Sequence, residues 1–380
     1  MMLLIKNGDV FNPKHIGRRS LLCSSSILQI GVDARQLADG GLELEVLDAE
    51  GCYVIPGFVD PHANTVGAGA EQGFHGRTPE MTFEEIVTAG ITTQVGTLGT
   101  DVVGRTLKNL LTKTIQFNQK GMTAFMYTGA FEVPPPSITE SIKHDIALFQ
   151  EVIGTGEVAI SDSRSTAPTV QELARIVGDT KMGGMLGGKA GVTHFHIGEA
   201  KTRLAPLHQL LDRYPFEPHH IYPTHITRSR ELLDEAIALA QRGCHVDMDV
   251  VEPGVGKWMR YYLEHGGPAV RLTISSDAQT PGAGPASLHR EFTSAIHEHG
   301  FELEELLPHF TCNAAAVLKL PKKGRIERNA DADLVVLDKD TLEIRHVVAR
   351  GRVFVRDGEF RDAPQPDPSR ETQDLATVEK

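Results

Sequence analysis

Five side chains of metal-binding type each fall within or just after a short apolar segment. His62 follows V-I-P-G-F-V-D-P, and Glu157 opens E-V-A-I-S-D. His196 lies late in V-T-H-F-H-I, His225 lies late in H-I-Y-P-T-H-I, and Asp277 ends L-T-I-S-S-D. Imidazole and carboxylate together suit a borderline cation such as zinc. A single histidine of this kind is explained as well by a structural hydrogen bond. Three histidines and two carboxylates in register point instead to a divalent metal centre. His194 stands two positions before His196 on the same strand face and reads as a polar residue of a deeper layer, an extra ligand or a hydrogen-bond partner. His245, Asp247 and Asp249 share a face in the same manner and read as a supporting network.

The elements that must position these residues alternate. Three further β-rich segments, I-T-T-Q-V-G-T-L, M-T-A-F-M-Y-T-G and C-H-V-D-M-D-V, bring the count to eight. Between them lie patterns with apolar residues three and four apart, as at 82–89 and 230–241. Gly90, Gly121 and Gly243 stand where helix C-caps are expected. Eight strand–helix units predict an α/β fold, a (β/α)₈ TIM-like barrel over residues 57–324, with its site at the C-terminal strand ends. A doubly wound sheet is the competing architecture. The chain ends differ in texture. Short strands at 3–6, 27–31 and 42–47, and again at 332–337, 344–349 and 352–355, are separated by N-G-D, N-P-K, D-G-G and R-D-G. They predict a small β-sandwich domain assembled from 1–56 with 325–362. The polar, proline-rich 363–380 reads as a loose tail.

The chain has 380 residues, four scattered cysteines and a formal net charge of -12. That charge argues against nucleic acid or an anionic membrane as partner. The absence of CxxC spacing suits reduced thiols. The opening M-M-L-L-I-K-N-G-D is too short an apolar run for a signal peptide, and no run approaches the roughly 18 apolar residues of a membrane span. A cytoplasmic protein is the expectation. G-G-M-L-G-G-K lacks the final Ser or Thr of a phosphate loop, because Ala190 follows the lysine; its glycines are expected to allow tight turns.

The combination P-G-F-V-D-P-H, A-G-I-T-T, L-G-T-D, A-I-S-D-S-R-S, G-G-M-L-G-G-K-A-G-V-T-H-F-H, P-T-H-I-T-R, T-I-S-S-D and N-A-D-A-D-L-V-V-L resembles the amidohydrolase superfamily, and within it the isoaspartyl dipeptidases. The resemblance extends over about 54–358. It implies a binuclear zinc barrel with a small β-sandwich, and a large homo-oligomer. By position it implies His62, His196, His225 and Asp277 as metal ligands. It further implies Glu71 as the holder of a substrate ammonium, Arg164 and Arg228 as holders of carboxylate, and Thr100 as a substrate contact.

The chain departs from the family pattern at four places. Asn64 replaces the second histidine of His-x-His, and its carbonyl would be a weaker ligand. Glu157 replaces a lysine whose carbamate bridges two metals, so no lysine carbamate is expected. Its oxygens fall short by roughly 3 to 4 Å if the backbone stays put. Either the metals sit deeper, the strand shifts, or one metal is absent. Phe131 replaces a tyrosine, for which Tyr127 is a deeper substitute. A serine beyond the last aspartate has Thr280 as its nearest counterpart. The expected activity is metal-dependent cleavage of a small zwitterionic dipeptide linked through a side-chain carboxyl, with zinc (one or two ions) and Asp277 as general base. Two alternatives stand beside it. One is hydrolysis of another isopeptide, a cyclic amide or an N-acyl amino acid. The other is a catalytically silent scaffold of the same fold.

Overall fold

The computed structural model describes residues 2–32 and 44–362. The tail at 363–380 and the start of the expected 42–47 strand lie outside these residues. Five strands come first: β1 (Met2–Asn12), β2 (Lys14–Cys23), β3 (Ile27–Ile30), β4 (Leu44–Asp48) and β5 (Cys52–Pro56). Eight follow with helices between: β6 (Phe58–Ala63), β7 (Ile91–Gly96), β8 (Thr123–Thr128), β9 (Val152–Ile160), β10 (Val192–Ile197), β11 (Ile221–Thr224), β12 (Val246–Asp249) and β13 (Leu272–Ser275). β14 (Leu334–Asp338), β15 (Ile344–Ala349), β16 (Arg352–Arg356) and β17 (Glu359–Phe360) end the described chain.

β6 to β11 form one parallel sheet in chain order, and β12 pairs with β13. The circle closes where Asp277 N donates to His62 O at 3.0 Å and Asn64 N donates to Ala278 O at 2.8 Å. β11 and β12 are joined through side chains, with Thr224 Oγ1 donating to Asp247 Oδ2 at 2.8 Å. The expected α/β barrel is thus present. The terminal strands hydrogen-bond as a nine-stranded, mostly antiparallel sheet around a core of their own that includes Leu3, Val10, Leu21, Ile27, Val54 and Val336.

Several local readings are corrected. V-I-P-G-F-V-D is two strands. Residues before Gly57 pair with β14 in the terminal sheet, and residues after it begin the barrel. A Cβ on Gly57 would lie 2.2 Å from Thr92 Oγ1, so glycine alone lets the chain cross there. N-G-D is a bulge inside β1, marked by a register shift between Ile5 and Gly8, while N-P-K is the turn into β2. In G-G-M-L-G-G-K only Gly188 makes a left-handed turn, as does Gly191 just after the motif, while Gly183, Gly184 and Gly187 lie within the helix Val170–Gly187. Lys189 Nζ donates to the carbonyls of Ile146, Phe149 and Val152, tying down the end of the preceding helix. The helices otherwise start and stop as the sequence indicates. Thr82 and Glu85 form a capping box, and Gly121 is a left-handed C-cap. Among the described residues, no helix is long and apolar enough to cross a membrane.

Candidate active site

The strand ends deliver the five metal-type side chains to one point. His62 is near the end of β6, His196 near the end of β10, His225 directly follows β11, and Asp277 stands two residues beyond β13. Glu157 does not open its strand as the sequence suggested. β9 begins at Val152, and its glycine-containing start, V-I-G-T-G, obscures the strand pattern. Thr193 pairs with Thr155 but Phe195 pairs with Val158, so β9 carries one extra residue opposite His194. A bulge of this kind re-aims a side chain, and Gly156 and Glu157 occupy it. A Cβ on Gly156 would sit 2.7 Å from that of His194. The bulge sets where the short Glu157 side chain points.

Glu157 consequently touches all three histidines. Its Oε2 lies 3.0 Å from His62 Nε2, and its Oε1 lies 2.9 Å from His196 Nδ1 and 3.3 Å from His225 Nε2. Asp277 Oδ1 lies 3.4 Å from His62 Nε2. Two overlapping triads, His62–His225–Asp277 and Glu157–His196–His225, each place one donor atom per residue within 4.8 Å of the others. Both ring nitrogens of buried His62 lack an aligned hydrogen-bond partner. A nitrogen close to two carboxylates but in line with neither fits a cation held between them, and the N/O donor set fits zinc. His225 and Asp277 have φ of 63° and 43°, left-handed values that cost such residues roughly 1–3 kcal/mol and persist where surrounding structure imposes them.

The electrostatics follow from this packing. Burial alone would depress the His62 imidazole, but the Glu157 and Asp277 carboxylates outweigh it and push its pKa up to about 10. Burial likewise opposes charge on His225, and Asp249 chiefly reverses that, raising it to about 9. Burial would raise Glu157, yet His62 and the other imidazoles hold it well below the carboxylate range. Asp277 is pushed up to about 6, first by burial, against the pull of His62 and His225. In the metal-free protein the cluster therefore keeps protons on imidazoles that a cation would displace.

Asn64 takes a different part from the one expected. Its Nδ2 donates to Asp277 Oδ1 at 2.9 Å, and its Oδ1 accepts from Thr97 Oγ1 at 3.2 Å. The carboxylate accepts only, so the amide nitrogen faces the site and the carbonyl is turned away from it. In this arrangement Asn64 meets Asp277 through its amide nitrogen and Thr97 through its carbonyl.

Two carboxylates hold the outer sides of the histidines. His225 Nδ1 lies 2.8 Å from Asp249 Oδ2, and His196 Nε2 lies 3.1 Å from Asp162 Oδ2. Asp249 was legible as part of a supporting face, whereas Asp162 was not singled out. Its signal was its place two residues before Arg164 in S-D-S-R. The other members of the β12 face separate. Asp247 accepts from Ser275, Thr273 and Thr224 within the barrel core, and His245 stands beside Arg271. His194 packs beneath His62 between Tyr127 and Tyr222, as a deeper polar layer. Tyr127 does not replace the missing phenol, because its hydroxyl donates to Pro61 O at 3.2 Å inside the barrel.

The remaining site residues line a cavity of about 100 Å³ above this cluster. Thr100 Oγ1 donates to Glu71 Oε1 at 3.1 Å, and Arg164 Nη1 reaches the same oxygen at 3.3 Å. The Arg164 guanidinium lies 5.0 Å over the Phe131 ring and is forked onto Asp162. Arg228, also at the mouth, has Glu199 at 3.8 Å. Thr280 lies within 3.5 Å of Asn64 Nδ2.

Residues 53–356 match the amidohydrolase family, and the chain belongs to that family of hydrolases. β-Aspartyl dipeptidase from the thermophilic keratin-degrading Fervidobacterium islandicum AW-1 is 36% identical with a TM-score of 0.92, over 96% of this chain and 100% of that one. A structure of that bacterium's β-aspartyl dipeptidase in complex with the dipeptide β-Asp-Leu is 35% identical, with a TM-score of 0.90, over 96% and 99%. D-hydantoinase from Geobacillus stearothermophilus is 42% identical over 64 residues, which is 17% of this chain and 13% of that enzyme. A Thermus D-hydantoinase shares the fold at a TM-score of 0.69 and 17% identity, over 94% of this chain and 96% of that one.

Proposed function

We propose that this protein is a metal-dependent hydrolase of β-aspartyl (isoaspartyl) dipeptides. The observation that carries the reading is the juxtaposition at one barrel mouth. A buried cluster of three histidines and two carboxylates forms the floor, and Glu71, Thr100, Arg164 and Arg228 line the cavity above it. Such walls suit a small molecule bearing both an ammonium and carboxylates. The likeness to the Fervidobacterium β-aspartyl dipeptidase supports the same substrate class.

One or two zinc ions held by His62, Glu157, His196, His225 and Asp277 would supply Lewis acidity for the carbonyl and acidify the attacking water. The chain's own residues do the rest. Glu71 holds the ammonium, and Arg228 and Arg164 hold carboxylate through charge-assisted pairs. Asp277, oriented by Asn64, takes a proton from the attacking water and delivers it to the leaving amine. Glu157 offsets cationic charge without prior modification, since a glutamate is ionised at neutral pH. Phe131 brings no hydroxyl to the scissile carbonyl and instead supports the Arg164 guanidinium.

The test is turnover by zinc-loaded protein of β-Asp-Leu, α-Asp-Leu, N-acetyl-Asp and a five-membered cyclic imide. Preferential cleavage of β-Asp-Leu supports the reading. Preferential ring opening would move the substrate to cyclic amides, and no turnover of any of the four would favour a silent scaffold.

A further inference from the structure

We infer that Asp162 is a positioning residue that fixes the arginine at the cavity wall and the histidine of the metal cluster through one carboxylate. The inference rests on the proposed function and extends it to a residue that neither lines the cavity nor belongs to the cluster.

Asp162 Oδ1 accepts from Arg164 Nε at 2.9 Å and from the Arg164 backbone N at 2.8 Å. Its Oδ2 accepts from Arg164 Nη2 at 2.9 Å and stands 3.1 Å from His196 Nε2. Arg164 Nη2 and His196 Nε2 are themselves 2.9 Å apart; a guanidinium only donates, so once a cation occupies Nδ1 and the ring hydrogen sits on Nε2, Asp162 Oδ2 is the acceptor left for it. The Asp162 side chain is 8% exposed there. An imidazole whose Nε2–H donates to a carboxylate presents its Nδ1 lone pair to a cation, and His196 Nδ1 is the atom that faces Glu157. The same carboxylate grips the planar guanidinium as a fork and holds it over Phe131. One side chain thereby selects the ligand atom of His196 and sets the position of Arg164.

Asp249 provides an internal control. It meets His225 Nδ1 in the same fashion, and its other oxygen accepts from Val251 N, with no arginine attached. Losing Asp249 should weaken metal binding alone, whereas losing Asp162 should weaken metal and substrate binding together.

The experiment compares wild type with Asp162→Asn, Asp249→Asn, Arg164→Ala and the double variant Asp162→Asn/Arg164→Ala. Zinc affinity is measured by chelator competition on the metal-stripped proteins, and KM for β-Asp-Leu at saturating zinc. Both aspartate variants should lose roughly 10–100-fold in zinc affinity, the usual scale for such outer partners of ligating histidines. Only Asp162→Asn should also raise KM, by severalfold, and the double variant should raise KM no further than Arg164→Ala. Wild-type zinc affinity in Asp162→Asn, or KM effects that multiply in the double variant, would overturn the inference. Should Asp162→Asn not fold, ¹⁵N-imidazole NMR of the zinc-loaded wild type decides. A proton on Nε2 of His196 supports the inference, and a proton on Nδ1 overturns it. Wild-type protein that neither binds zinc nor cleaves β-Asp-Leu would instead overturn the functional reading, and the inference with it.

Discussion

Replacing Asp277 by asparagine removes one charge and one proton acceptor at nearly constant volume. Asp277 Oδ1 accepts from Asn64 Nδ2 at 2.9 Å. The new amide can keep that bond only with its carbonyl toward Asn64, which turns its NH₂ toward the cavity side. No acceptor for the proton of the attacking water then remains at this position. A general base contributes typically 10²–10⁴ in rate, so the expected loss in kcat is about 2.7–5.5 kcal/mol of barrier at 1.36 kcal/mol per decade. The triad of Glu157, His196 and His225 does not include Asp277, so zinc held there should remain and the variant should keep at least one ion per chain. The assay is the initial rate of β-Asp-Leu hydrolysis, with zinc determined on the same sample. A fully loaded variant that retains kcat within threefold of wild type would refute Asp277 as the base. A variant that lost its zinc would show that Asp277 acts mainly as a ligand.

His225 belongs to both triads, so His225→Ala should strip most bound zinc without unfolding the barrel; zinc at the wild-type level by elemental analysis would remove it from the ligand set. Arg228→Ala should chiefly weaken substrate binding, since a charge-assisted bond is worth roughly 1.5–3 kcal/mol; an unchanged KM for β-Asp-Leu would refute its assignment to a carboxylate. Zinc loading of the stripped protein should be indifferent to bicarbonate, and Glu157→Gln should load poorly in any buffer; normal zinc stoichiometry in Glu157→Gln would show that its charge is not used. His62 and His225, raised to about 10 and about 9 when metal-free, stabilise the folded state fully below the ordinary histidine value near 6.5. That stabilisation is lost as pH climbs from there through the raised values, so Tm of the stripped protein should fall between about pH 6.5 and 10 more steeply than that of the zinc-loaded protein. Parallel Tm curves would contradict the assigned charge state.

The barrel strands were legible because β10, β11 and β13 are short apolar runs that end in polar side chains, and those side chains converge on one site. What the sequence obscured was local geometry. Gly57 splits one apparent strand into members of two sheets, through a contact with Thr92 that no local pattern reveals. Glu157 appeared to start a strand because glycines weaken the β signal of the residues before it, and the bulge that aims it depends on packing against His194. Gly183 and Gly184 looked like turn residues but lie within a helix, where Gly184 comes close to Gly191. The type of Asn64 suggested a ligand. Its hydrogen bonds to Thr97 and Asp277, residues distant in sequence, decide which end of the amide faces the site. Asp162 stands in a turn, where an aspartate ordinarily serves the backbone. Only the fold shows that it meets His196.

On the proposed function, bound metal and β-aspartyl hydrolysis are properties of one site. The most direct test measures divalent metal per chain and β-Asp-Leu turnover on the same preparation, before chelation, after it, and after zinc is restored. One or two metal ions per chain are expected, with turnover vanishing and returning in step with them. Turnover that survives complete removal of metal, or restored metal with no turnover, would contradict it.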